Sequence, residues 1–128
     1  MTPTVDLLVN AAPTISTIPR SRFRRRVTAD AYTAMGLLAD HLLAELQAGR
    51  TDELDAVLTE AEHLVQSDYQ PNIHTVGTGL IEGLHHGVSH LQDSVEPLLA
   101  NRLPPRCRTL WEESRALHRD IAIWRSST

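Results

Sequence analysis

Two Glu-x-x-His pairs, Glu60 with His63 and Glu82 with His85, stand in a chain of 128 residues that carries seven histidines. That spacing lets a carboxylate and an imidazole on one helix ligate the same ion, and in carboxylate di-metal bundles such pairs project inward from facing helices. A second arrangement, Glu82, His86, His90 and Asp93, runs at intervals of four, four and three. His86 and His90 have the i, i+4 separation that chelates zinc from one turn to the next. Both arrangements fail on helical phase. At about 100° per residue, His63 points roughly 180° from the apolar centre of its helix, with Glu60 at the rim. On the next helix Glu82 lies about 165° from the apolar centre and His85 about 105° from it. The His86–His90 stripe shares the polar side, and the first histidine lacks the adjacent glutamate that zinc hydrolases use as a base. The expectation is therefore no metal, no cofactor and no catalytic residue. A helical metal-binding protein using His86 and His90 stays as one alternative.

Charge is the next chemical signal. The net charge is −4, but residues 1–26 hold five arginines against Asp6, residues 27–101 hold twelve acids against Arg50, and residues 102–128 hold six arginines against three acids. All twelve cations are arginine. The middle of the chain presents a negative field, which attracts cationic partners and repels nucleic acid. Asp52, Glu53, Asp55, Glu60 and Glu62 supply most of one helical face, and Glu82 and His86 extend the polar surface onto the next helix. These seven are the candidate partner-binding residues, suited to a basic protein. Arg20-Ser-Arg-Phe-Arg-Arg-Arg26 is the one feature a nucleic-acid-associated regulator could use. Such an arm contacts phosphates without reading bases, and the acidic domain behind it opposes that use.

The elements that position these residues follow from apolar periodicity. Thr4 is placed to cap a short helix over Val5, Leu8 and Val9 that stops before Pro13, and residues 13–26 read as a loop or arm. A second helix spans about Thr28 to Ala48, with Tyr32, Met35, Leu38, Ala39, Leu42, Leu43 and Leu46 on one face and Gly49 as its C-terminal cap. Thr51 starts a third, with Asp52 and Glu53 in its first turn and Leu54, Val57, Leu58, Ala61, Leu64 and Val65 inward. Asp68 is placed to cap a fourth, with Pro71 in its first turn and Ile73, Val76, Leu80, Ile81, Leu84, Val88 and Leu91 inward. A short fifth helix near Val95 to Ala100 follows Ser94. After Pro104 and Pro105 a last helix aligns Cys107, Leu110, Trp111, Ser114, Leu117, Ile121 and Trp124. The fourth helix also carries Gly77, Gly79, Gly83 and Gly87. A helix-interior glycine costs about 1 kcal/mol relative to alanine, so close approach of a neighbouring helix, from this chain or a partner, should offset it.

Together these make an all-α fold, about six helices in an antiparallel bundle or a short stack of helical hairpins, in one domain over residues 1–128. Residues 1–27 form its N-terminal helix and Arg-rich arm, and residues 28–125 its helical core. Aromatics at 4% leave an aliphatic core and disfavour a β-sandwich. The single cysteine, Cys107, excludes an internal disulfide and fits a reducing cytoplasm. Neither a secretory signal nor a stretch of about 18 apolar residues stands out, so no membrane association and a cytoplasmic location are expected.

Four motifs carry a family resemblance: Tyr32-x-x-Met35-Gly36-x-Leu38-Ala39, Asp52-Glu53-Leu54-x-x-Val57-Leu58-x-x-x-Glu62-x-Leu64, Val76-Gly77-x-Gly79-Leu80-Ile81-Glu82-x-Leu84, and Pro97-Leu98-Leu99 leading to Trp111. Over about residues 29–125 the chain resembles a family of small all-helical bacterial proteins of unknown activity, found near polymorphic-toxin genes and regarded as immunity proteins. That family usually has an aromatic where Leu80 or Ile81 falls, and the proline pair before Cys107 and the Arg-rich arm depart from its pattern. The resemblance implies a non-enzymatic protein that binds and neutralises a toxin domain, with no catalytic residues, and the acidic middle of the chain suits a basic one.

Overall fold

A computed structural model describes the backbone of residues 3–17 and 31–127 and the side chains of residues 4–15 and 33–119. The Arg20–Arg26 arm and the side chains of Tyr32, Ile121 and Trp124 lie outside the described residues. All regular structure among the described residues is helical. Helix α1 covers Pro3–Asn10 and leads into a 3₁₀ turn at Pro13–Thr17, where a loop or arm is expected from the sequence. Helix α2 is Ala31–Gln47 and α3 is Asp52–Gln66. Helix α4, residues 70–88, is α-helical over Gln70–His74, π-helical over Thr75–Ile81 and α-helical again over Glu82–Val88. Helix α5 is Val95–Ala100, and α6 is Pro105–Ser127.

The π segment resolves a conflict of period. Val76, Leu80, Leu84 and Val88 recur every four residues, as do Gly79, Gly83 and Gly87. An ideal α-helix of 3.6 residues per turn would rotate both rows steadily off one face. A π turn, closed by i→i+5 bonds, holds more residues per turn and rotates them back. The Glu82 N–H reaches the Gly77 carbonyl, five residues earlier. Gly77 and Gly79, poor α-formers, make the distortion inexpensive.

Helices α2 and α4 form the centre of the bundle, with α3 and α6 packed together beside them and α1 against α2 and α3. The expected faces are buried in α2 (Met35, Leu38, Ala39, Leu42, Leu43, Leu46), in α3 (Leu54, Val57, Leu58, Ala61, Val65) and in α4 (Val76, Leu80, Ile81, Leu84, Val88). Leu64, Ile73 and Leu91 are partly buried at the margin of this core. Val5, Leu8 and Ile15 anchor the N-terminal segment to it. Trp111 is fully buried, a side chain whose truncation to alanine typically costs about 3–5 kcal/mol. Leu117, expected inward, is 51% exposed.

Gly79, Gly83 and Gly87 sit where α2 comes closest, whereas a Cβ on Gly77 would meet Leu110 of α6 at 3.5 Å. A Cβ on Gly79 would lie 2.9 Å from Met35 Cγ, one on Gly83 3.2 Å from Ala39 Cβ, and one on Gly87 against the end of Leu43. Met35, Ala39 and Leu43 repeat every four residues, matching the glycine row, so the close neighbour belongs to this chain.

Caps are partly as expected. Gly49 takes φ +81°, with its N–H on the Leu46 carbonyl at 3.0 Å and the Arg50 N–H on the Glu45 carbonyl at 2.8 Å, which is the Schellman arrangement. Thr51 and Ser94 occupy N-cap positions without a side-chain cap bond. Two expected caps are corrected. The Thr4 hydroxyl bonds Asn72 Oδ1 at 2.5 Å across to α4, inside a helix that already begins at Pro3. Asp68 adopts φ 58° in the turn between α3 and α4, Tyr69 takes the cap position, and the Asp68 carboxylate accepts from Arg106 Nη1 at 3.2 Å.

Candidate functional site

Helix α2 turns His41 and Glu45, one helical turn apart, toward the first turn of α3 and the 3₁₀ turn that follows α1. Four side chains meet there. His41 Nε2 lies 2.7 Å from Glu53 Oε1 and 3.9 Å from Glu45 Oε1. The Thr14 hydroxyl donates to Glu53 Oε1 at 2.5 Å and lies 3.0 Å from His41 Nε2, and the Thr14 N–H donates to Glu53 Oε2 at 2.9 Å. Burial alone would raise the Glu53 carboxyl, but hydrogen bonds from Thr14 and His41 outweigh it and hold the group below its ordinary range. Arg50, delivered by the Schellman turn, pairs with the outer oxygen of Glu45. A cleft of about 510 Å³ opens beside the cluster, lined by Thr14, Glu45, Arg50, Asp52 and Glu53. His41 and Glu45 carry no motif in the sequence. Their i, i+4 spacing was the only available sign, and Glu53 and Thr14 arrive from elements 12 and 27 residues away from His41.

A second cleft, about 270 Å³, lies between α4 and α6. Ile73, Leu110 and Leu117 form apolar lining, Glu82 comes from α4, and Glu113 and Ser114 come from α6. Ser114 is only 6% exposed, and its hydroxyl has no hydrogen-bond partner among the described residues. Nearby, His85 is half-buried, set edge-on to Trp111 with ring centroids 5.2 Å apart and beside His118 at 4.7 Å. Burial, and then the charge of His118, push the His85 imidazole below its ordinary value.

The candidate partner-binding acids do not form one face. Asp52 is exposed and Glu60 half-buried. Glu53 is drawn into the histidine cluster, and both Asp55 oxygens accept from Arg102 Nη1, at 2.9 and 2.7 Å. Glu62 is the clear correction. Expected on the exposed face, it is 7% exposed and accepts the backbone N–H groups of Arg106 and Cys107 at 3.0 Å each. Those are orphan donors at the start of α6, and a carboxylate placed there satisfies them and complements the helix dipole. Beside it, burial and the Glu62 charge push the Cys107 thiol up to about 12. Arg102 and Arg106, with Arg115 on Glu96 at 3.5 Å, bring the basic C-terminal segment onto the acidic middle.

Glu82 is half-buried at the α4–α6 cleft, and His86 is exposed, its ring 4.7 Å from that of His90. His63 is exposed, as its phase requires. The Glu60–His63 and Glu82–His85 pairs are not part of the one grouping of potential metal ligands found among the described residues, which is His41, Glu45 and Glu53. No described helix is long and apolar enough to cross a membrane. No protein-family model, curated protein or solved structure matches the chain.

Proposed function

We propose that this chain is a non-enzymatic protein-binding domain, acting in the bacterial cytoplasm as an immunity protein that neutralises a cognate basic toxin domain. The observation that carries the binding reading is the α4–α6 cleft, where Glu82 and Glu113 accompany an apolar lining and a buried Ser114 hydroxyl that is unpartnered among the described residues. An arginine or lysine from a partner has matching chemistry, an aliphatic stem for Ile73, Leu110 and Leu117 and a cationic head for the carboxylates. A donor reaching Ser114 would also relieve the cost of a buried polar group left without a bond. Of the surfaces expected to bind, the α4 shoulder is favoured because the α3 acids Glu53, Asp55 and Glu62 are engaged within the chain. The toxin assignment rests on the family resemblance.

Growth rescue against a toxin domain encoded beside this gene tests the reading. The native chain should rescue, and the double reversal Glu82→Arg with Glu113→Arg should weaken binding by at least about a hundredfold, given that paired interfacial charges are worth about 2 kcal/mol or more. Unchanged affinity in the reversed variant would remove the cleft from the interface, and a neighbourhood without a toxin gene would remove the toxin.

A further inference from the structure

We propose that His41, Glu45 and Glu53, closed by the Thr14 hydroxyl, form a binding site for one divalent first-row metal ion. The three potential ligand atoms lie within 4.8 Å of one another, and they come from two helices with Thr14 from a third element. Tetrahedral zinc with bonds of about 2.0–2.1 Å separates its ligand atoms by roughly 3.3 Å. The separations in the cluster fall on both sides of that value. Thr14 to Glu53 is 2.5 Å, His41 to Glu53 2.7 Å and Thr14 to His41 3.0 Å, while Thr14 to Glu45 is 3.5 Å and His41 to Glu45 is 3.9 Å. A bound ion would draw Glu45 inward and part Glu53 from His41 and Thr14.

The donor set also has the right chemistry. One imidazole with two carboxylates suits zinc and its neighbours, which require deprotonated ligands. His41, Glu45 and Glu53 are mostly buried, with side-chain exposures of 11, 15 and 14%, and the 510 Å³ cleft reaches Thr14, Glu45 and Glu53 as an entry path. Arg50 is the competitor. Its guanidinium sits on Glu45 and offsets the charge an ion would meet, and at 69% exposure it can be removed without opening the core. A bound ion would tie the 3₁₀ turn to α2 and α3, replacing hydrogen bonds with a three-element clip. The site is independent of the α4–α6 cleft.

Equilibrium dialysis of tag-free full-length protein against zinc, read by elemental analysis, tests this. The expected result is one zinc per chain, with affinity lowered at least about tenfold in His41→Ala and in Glu45→Gln, the scale on which lost metal-site contacts are felt. His86→Ala with His90→Ala should leave that zinc in place. Arg50→Ala, outside the ligand set, covers the case in which a ligand variant fails to fold: loss of the competing cation should tighten zinc several-fold. No stoichiometric zinc, zinc that departs with His86 and His90 as an adventitious ion only, or an Arg50→Ala affinity equal to native would each overturn the proposal.

Discussion

Helix α2 has two working faces built on opposite principles. One presents Met35, Ala39 and Leu43 to the glycine row of α4, with no room for a methyl group at Gly79 without movement. The other presents His41 and Glu45 to Glu53 and Thr14, where contacts are polar and a cleft stands open alongside. On the first face shape decides, because dispersion and close packing fall off over fractions of an ångström. On the second, charge and protonation decide, because the groups can turn to meet water, a proton or an ion. A single helix thus joins a rigid dry contact to a responsive wet one. Sequence change should be felt as volume on one side and as charge on the other.

The largest expected effect is on the dry face. Gly79→Leu forces a branched side chain into Met35 and should destabilise the fold by about 3 kcal/mol, the upper end of usual overpacking costs, in urea denaturation. Adding Met35→Ala should recover part of that loss. Independent, additive effects would break the idea that these two residues define the contact.

A smaller contrast uses two glycines with opposite surroundings. A methyl group added at Gly36 would have nothing within 4 Å, so Gly36→Ala should raise stability by up to about 1 kcal/mol through helix propensity alone. Gly83→Ala gains the same propensity but meets the helix-anchored Ala39 Cβ at 3.2 Å, and should come out less stable than Gly36→Ala and than native. Equal melting temperatures for the two variants would show that α2 and α4 yield more easily than the geometry implies.

The smallest effect belongs to the wet face. Because the folded state lowers the Glu53 pKa, unfolding takes up a proton in acid. The Glu53 contribution is therefore complete above the ordinary carboxyl value of 4.5 and is lost as pH falls through the lower folded value. Glu53→Gln should flatten the native loss of stability in that acid window, while Gly79 and Gly83 variants should keep the native slope. An unaltered slope in Glu53→Gln would assign the acid sensitivity to other groups.

Much of the dry face was legible from residue order. The inward rows of α2, α3 and α4 follow from apolar spacing, and the glycine row announces close approach by its propensity cost. Period alone did not reveal the π turn, since a short stretch with a four-residue repeat fits either winding until the helix meets its neighbour. Leu117 illustrates another limit: it lies on the phase of the α6 stripe, yet the α4–α6 cleft leaves it 51% exposed.

The wet features were much harder to foresee. Glu62 belongs to the acidic face of α3, where a carboxylate is usually solvated, and it is buried because the first turn of α6, more than forty residues later, brings two unpaired N–H groups to it. His41 and Glu45 likewise acquire meaning only when Glu53 and Thr14 are folded against them. By itself the sequence determined the helical class and the apolar faces, since those depend on local propensity and on a repeat set by helix geometry. Tertiary structure alone decided which carboxylates face water, which cap a helix and which gather around a histidine, because a charged group is placed by partners that lie far away along the chain.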